Sequence, residues 1–479
     1  MEGVSFSADS LAVHPVQERR LTVKRHFVVS FSLAALLHGN LCAADPSSSK
    51  PGEALLAPTP PMGWNSYDAY GTTVTEDQVK ANAWWMAEHL RSSGWQYVII
   101  DMEWFVTDPT PEGNAKNSQV TLDDFGRFTP ALNRFPSAAD GAGFKPLADF
   151  VHHLGLKFGI HILQGIPRQA VAKNLPIFGS DFHAADAANR AGTCKWNPDN
   201  YDLESTAAGQ AYYDSIVKLY AQWGVDFIKV DCIASRPYKG EEIRMLHAAI
   251  QKSGRPIVLS LSPGAAPFDK IDEMRRYAEM WRISDDVWDL WHSTVPYPQG
   301  LGDQFPRAAQ WAGLGQLGTW PDADMLPVGY LGPAPGWGKK ARASRLTHDE
   351  QRTLLTLWIM FGSPLMIGSD LPHLDVWTTS QLTNQEALSV DQHAVNRRAI
   401  INTENAAVWV AQSAGAGSYV AVFNLTNATQ TLRFAWTDLG LSAATYELRD
   451  LWEKRNLERA KLLAVTLAPH ASVLYSVAP

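Results

Sequence analysis

The chain has 479 residues, too many for one ordinary domain, and 46% of them are hydrophobic. Its formal net charge of −8 comes without a basic block of the kind that recruits nucleic acid or an anionic membrane surface, so a neutral partner is expected. Eighteen Trp and fourteen Tyr offer apolar faces that stack well on sugar rings, although any single one is as readily a core residue.

The first expected element is an address label. A basic stretch at residues 19–25 precedes an apolar run at 27–37 and the small residues Cys42-Ala43-Ala44, the layout of a secretory signal over residues 1–44 cleaved near Ala43 or Ala44. The run is shorter than the roughly 20 residues a permanent bilayer span requires, so the mature protein is expected outside the membrane, secreted or periplasmic. A linker rich in Pro, Ser and Ala follows at 45–60.

From residue 61 to 399, short apolar runs alternate with amphipathic stretches. Strands are expected at 62–64, 97–101, 158–161, 227–231, 257–262, 280–283, 317–320 and 365–368. Helices are expected at 76–93, 144–154, 208–223, 239–253, 268–277, 304–314 and 348–361, with Gly94, Gly155, Gly224 and Gly254 as stops. Eight strands alternating with helices predict a (β/α)8 TIM barrel, an α/β fold. Polar residues gather at the C-terminal ends of these strands: Asp101, His161, Asp231, Ser262, Asp286, Asp322, Asp324 and Asp370. One acidic residue there is commonly a cap or a solvated loop; their concentration on one rim is the signal. From 400 to 479 the pattern becomes alternating without helices, with strands expected at 407–411, 418–423, 431–436, 445–451 and 473–477, which predicts a C-terminal antiparallel β-sandwich.

Asp231 ends the fourth run and Asp285-Asp286 follow the sixth, a disposition that suits two-carboxylate glycoside chemistry. Such a site needs one carboxylate kept ionised and a second carboxyl able to give a proton. Lys229, two residues before Asp231, faces the same side of its strand and would favour the ionised form; alternatively it partners another rim carboxylate. Arg282 could hold sugar hydroxyls or orient a carboxylate, or form a structural pair with Asp285. Spacing alone does not choose between Asp285 and Asp286. Once the signal is removed Cys194 and Cys232 remain, either bridged or as two free thiols. No Cys and His spacing suggests zinc, and no His-x-His ends the first strand as a metal-dependent barrel hydrolase would have it.

Pro61-Met62-Gly63-Trp64-Asn65-Ser66-Tyr67, the run 227–231, Trp281-Arg282 through Asp286 to Asp289, and Trp320-Pro321-Asp322-Ala323-Asp324-Met325-Leu326 together resemble glycoside hydrolase family 27, the α-galactosidases or melibiases. The resemblance extends from about residue 57 to the C-terminus. It implies a barrel followed by a β-sandwich, and a retaining double displacement on a neutral carbohydrate without metal or organic cofactor. Matched position by position, it implies Asp231 as nucleophile and Asp286, four residues after Arg282, as acid/base. It further implies Trp64, Asp101, Lys229, Arg282, Asp324 and Met325 as sugar-pocket residues, with Ser262 at the position that reads the 2-hydroxyl, and it favours a Cys194 to Cys232 bridge.

The expected activity is removal of terminal α-D-galactosyl residues. The same barrel could serve an α-N-acetylgalactosaminidase, a β-L-arabinopyranosidase or an isomaltodextranase, or carry carbohydrate binding without turnover. Two departures from the family bear on that choice. Where α-galactosidases of this family usually have paired aspartates holding the galactose 4- and 6-hydroxyls, this chain has Asp101-Met102. Where they often have a Cys-Glu-Trp segment, it has Leu261-Ser262-Pro263-Gly264-Ala265. The segment between His161 and Cys194, containing Gly165-Ile166-Pro167-Arg168, is expected to reshape one wall of the pocket.

Overall fold

The structure, a computed structural model, describes residues 55–110, 113, 119–332 and 340–479; the expected signal sequence and most of the linker lie outside the described residues. A parallel sheet of eight strands forms the first layer: β1 (Met62–Asn65), β2 (Tyr97–Ile100), β3 (Lys157–Leu163), β4 (Phe227–Asp231), β5 (Val258–Leu261), β6 (Met280–Arg282), β7 (Trp320–Asp322) and β8 (Leu365–Ile367). They are hydrogen-bonded in chain order, with β1 also paired to β8. A parallel bridge between Leu326, just beyond β7, and Ile367 of β8 completes the ring. This is the (β/α)8 architecture, with helices packed outside the sheet.

The apolar runs place every strand but the seventh. A strand is expected at 317–320, but Gln316 and Thr319 close a tight turn, Leu317 is 69% exposed, and the strand starts at Trp320. Leu317 is an apolar residue on a turn, which periodicity does not distinguish from a strand end. The helices are capped as local chemistry dictates. Thr75 with Gln78 and Thr347 with Glu350 form capping boxes, and Gly224 and Gly254 end their helices at φ 87° and 70°.

Strand alternation decides which side chains enter the barrel. Tyr97, Ile99, Phe227, Val258 and Met280 pack in its interior, while Val98, Ile100, Ile228, Val230 and Trp281 join the larger core under the helices. Continuing the inward parity to the C-terminal rim gives Asp101 after Ile99, Lys229 and Asp231 after Phe227, and Arg282 after Met280. The register Gly159↔Phe227, His161↔Lys229 sets His161 inward beside them.

The C-terminal domain has a six-stranded antiparallel sheet in the order 395–402, 406–412, 418–424, 472–478, 446–450, 455–460, and a two-stranded sheet of 430–435 with 462–467. Val408, Val420, Leu463 and Val465 form the core between the sheets. The opposite face of the larger sheet, with Trp409, Phe423 and Leu474, joins the barrel's core. Trp452 Nε1 donates to Thr356 Oγ1 (3.0 Å) across that junction, and Arg449 pairs with Glu386 (2.7 Å). Strands 395–402, 455–460 and 462–467 have no counterpart in the sequence reading; 455–460 is rich in charge (Arg455, Glu458, Arg459) and lies at a sheet edge, where apolar alternation is not required.

Candidate active site

A cavity of about 550 Å³ opens at the C-terminal rim. Asp101, Lys229, Asp231, Asp286, Asp324 and Met325 all lie on its wall, as the resemblance implies, together with Asp285 and Met102. Lys229 donates to Asp101 Oδ2 at 2.9 Å, where Asn65 Nδ2 also donates at 2.7 Å. Of the two roles open to Lys229, direct pairing therefore goes to the neighbouring rim carboxylate. Asp231 receives instead a hydrogen bond from His161 Nε2 at 3.2 Å and one from the Cys232 amide at 2.8 Å.

These contacts set the ionisation. Burial pushes Asp101 up, but attraction to Lys229 and His161 and the hydrogen bonds from Lys229 and Asn65 hold it well below the usual carboxylate range. Burial likewise opposes Asp231, and the His161 hydrogen bond, with the electrostatic pull of His161 and Lys229, outweighs it and leaves Asp231 lowered. An ionised carboxylate is thus held at the position that the resemblance assigns to the nucleophile. Asp324 is the reverse case: burial, with repulsion from Asp286 and Asp322, pushes it up to about 7 against the attraction of Arg282. Asp68 is also held well above its ordinary value, by burial and then by repulsion from Asp324 and Asp286.

Asp285 and Asp286, adjacent in sequence, have different surroundings. Arg282 Nη2 reaches Asp286 Oδ1 at 3.2 Å and Arg282 Nη1 reaches Asp324 Oδ1 at 2.8 Å, so Arg282 does not form the pair with Asp285 that was one of its two sequence readings. Asp285 is held bidentately by Arg236, an exposed residue at the mouth. The Asp286 side chain is 37% exposed, which gives a group in its position access to protons from solvent.

Three expected pocket residues stand back from the wall. Trp64 is fully buried and donates its indole N–H to Ser369 O at 2.7 Å. On β1 it has outward parity, paired in register with Val98, so it belongs to the helical layer. Arg282 is 2% exposed and acts beneath Asp286 and Asp324. Ser262 is buried, its amide bonded to Val230 O (2.9 Å), and Pro263 takes its place on the wall.

The aromatic wall is instead Tyr67 and Trp288, with ring centroids 6.3 Å apart, flanked by Tyr297 and Trp196. Tyr67 stands three residues after Trp64 in the same motif, as the first residue of a short helix (67–70) that follows β1. Trp196 and Asn197 come from the segment before β4, which folds as a small sheet of 166–167, 188–193 and 200–203. The Cys194–Cys232 disulfide ties that segment to the residue following Asp231.

Comparison with known proteins places the fold in a family. Residues 203–393 match the melibiase family described as Alpha galactosidase A, and 403–477 match the Alpha galactosidase C-terminal beta sandwich domain. A solved GH27 β-L-arabinopyranosidase from Geobacillus stearothermophilus is 46% identical, with 88% of this chain and 97% of that one covered and a TM-score of 0.83. The α-galactosidase of Cyamopsis tetragonoloba is 28% identical over 431 residues, covering 88% of this chain and 87% of the relative. That of Coffea arabica is 28% identical over 430 residues, covering 88% and 95%. The chain belongs to glycoside hydrolase family 27. It is a retaining exo-glycosidase of the melibiase fold.

Proposed function

We propose that the protein is a β-L-arabinopyranosidase. The observation that carries this reading is Met102, on the cavity wall directly after the ionised Asp101. β-L-Arabinopyranose has the ring configuration of α-D-galactopyranose and lacks only the hydroxymethyl group at C5. A hydroxyl on that group, set against a thioether, would lose its water without gaining a good acceptor, at a cost of about 1–3 kcal/mol. Asp101 can still accept from the ring hydroxyl common to both sugars. The 46% identity to the Geobacillus enzyme supports the same choice. An α-galactosidase is the second reading, favoured by the plant relatives at 28% identity.

In this reading Asp231 attacks the anomeric carbon while Asp286 protonates the departing glycosidic oxygen, leaving a glycosyl ester on Asp231. Asp286, now a carboxylate, takes a proton from the water that cleaves the ester, and the sugar leaves with its configuration retained. The Arg282 guanidinium, shared between Asp286 and Asp324, keeps Asp286 oriented through both steps. Parallel kcat/KM measurements on aryl β-L-arabinopyranoside and aryl α-D-galactopyranoside test the assignment. A preference for the arabinopyranoside of about tenfold or more is expected; a preference for the galactoside would overturn it.

A further inference from the structure

The loop after β6, residues 283–303, brings Asp286, Trp288, Pro296 and Tyr297 to the cavity wall, and it is fastened from two sides. Toward the loop after β7, the buried Asp289 is paired with Arg342 and accepts the Arg345 amide at 2.7 Å. On the other side the ring of Trp291 lies flat against that of His470, with centroids 3.7 Å apart and planes 6° from parallel. His470 belongs to the C-terminal domain, on the turn between strands 462–467 and 472–478. We propose that His470 is a positioning residue for the cleavage reaction: by stacking on Trp291 it fixes the loop that presents Asp286 to the leaving oxygen, which gives the C-terminal sandwich a part in acid/base catalysis.

Three observations carry it. The stack is transmitted to Asp286 through the backbone, because the loop doubles back on itself: Gln299 N donates to Asp286 O (2.9 Å), Trp288 N to Gln299 O (2.9 Å), Leu301 N to Leu290 O (2.8 Å) and Gly302 N to Trp291 O (2.6 Å). Asp286 and Trp291 thus stand at the two ends of one hydrogen-bonded ladder, and a shift of the indole carries the carboxylate with it. The His470 ring is itself immobilised. Its Nδ1 donates to Glu350 Oε1 at 2.7 Å, its carbonyl accepts from Thr353 Oγ1 at 2.7 Å, and Glu350 Oε2 is held by the Thr347 amide at 2.8 Å, so the stacking face is fixed to the first turn of helix 348–361. The junction contacts of Trp452 with Thr356 and of Arg449 with Glu386 reach helices that place none of the described wall residues, whereas the His470 stack reaches a loop that places several.

The proposal rests on the reading of Asp286 as the acid/base and not on which sugar is cut. Its test is a series of aryl glycosides of whichever sugar the paired aryl substrates select, with leaving groups from dinitrophenol to phenol, because protonation of the leaving oxygen matters most where the leaving group is poor. His470→Asn removes the ring while suiting the left-handed backbone at φ 57°, and Trp291→Ala removes its stacking partner. Each should lower kcat/KM about tenfold on the phenyl glycoside and leave the dinitrophenyl glycoside within about twofold of wild type, which also reports an intact fold. Trp291→Phe keeps a stacking face and should return the wild-type dependence on the leaving group. A loss equal across the series, no loss at all, or a Trp291→Phe enzyme as sensitive to the leaving group as Trp291→Ala would overturn the proposal. Asp286→Ala separates the two failures: it should steepen the same series more than either stack-removing variant, and an Asp286→Ala enzyme with the wild-type dependence would fail the acid/base reading itself and the proposal with it.

Discussion

His161 Nε2 stands 3.2 Å from Asp231 Oδ2, and the two residues lie on adjacent strands, β3 and β4, with inward parity. The Asp231 carboxylate accepts, so the imidazole carries its hydrogen on Nε2. This bond is the largest influence opposing the burial of Asp231. His161→Phe should raise the Asp231 pKa. Since the attacking group must be ionised and activity falls as pH drops through that pKa, the acid limb of kcat/KM should move to higher pH. A loss of about 10- to 100-fold in kcat/KM near the optimum is expected, and a full pH–rate profile checks it.

The separation of Asp285 from Asp286 predicts unequal variants. Asp231→Ala should abolish turnover of an aryl glycoside. Asp286→Ala, with a very good leaving group, should release one burst of phenol and then stall at the glycosyl ester, because no base remains to activate water. Asp285→Asn removes only the charge paired with Arg236 and should retain steady turnover of the aryl substrate. Rapid-quench kinetics distinguish the three outcomes, and equal losses at 285 and 286 would contradict the assignment.

Met102→Asp restores a second carboxylate beside Asp101. It should raise the ratio of α-galactosidase to β-L-arabinopyranosidase activity by about tenfold or more, chiefly by giving the 6-hydroxyl a charged acceptor. Paired kcat/KM values on the two aryl glycosides measure it.

Away from the site, Asp391 is fully buried between a helix end and Arg397, and burial pushes it up to about 8 despite the attraction of Arg397 and a hydrogen bond from Gln392. The folded form therefore holds a proton that the unfolded chain releases near pH 4. Between those values stability falls as pH rises, and the contribution is gone once pH passes about 8. Asp391→Asn should remove this slope, so the variant gains relative stability at pH 9 over its value at pH 5. Denaturant midpoints at both pH values check the sign.

How much was legible beforehand varies by element. The fourth run shows it best: Phe227, Lys229 and Asp231 share one face by strand parity, and the structure places all three inward. The same rule excludes Trp64 from the pocket, since Gly63 and Asn65 are the inward residues of β1 and Asn65 reaches Asp101. Family resemblance suggested the tryptophan; the aromatic of that motif on the wall is Tyr67, in the short helix after the strand, where strand alternation no longer applies. The partner of Lys229 was not legible, because its choice between Asp101 and Asp231 depends on how neighbouring strands are staggered.

The amino-acid sequence by itself determined the order of the eight barrel strands and the helices between them, the two-part architecture, the rim that carries the acidic residues and the two cysteines available to pair. Each of these rests on local periodicity or chain order, which a linear pattern records. Only the tertiary structure decided that His161 rather than Lys229 bonds Asp231 and that Arg236 holds Asp285 apart from Asp286. Those relations link residues 49 to more than 100 positions apart, or side chains on adjacent strands whose reach is fixed by register, and they exist only once the barrel has closed.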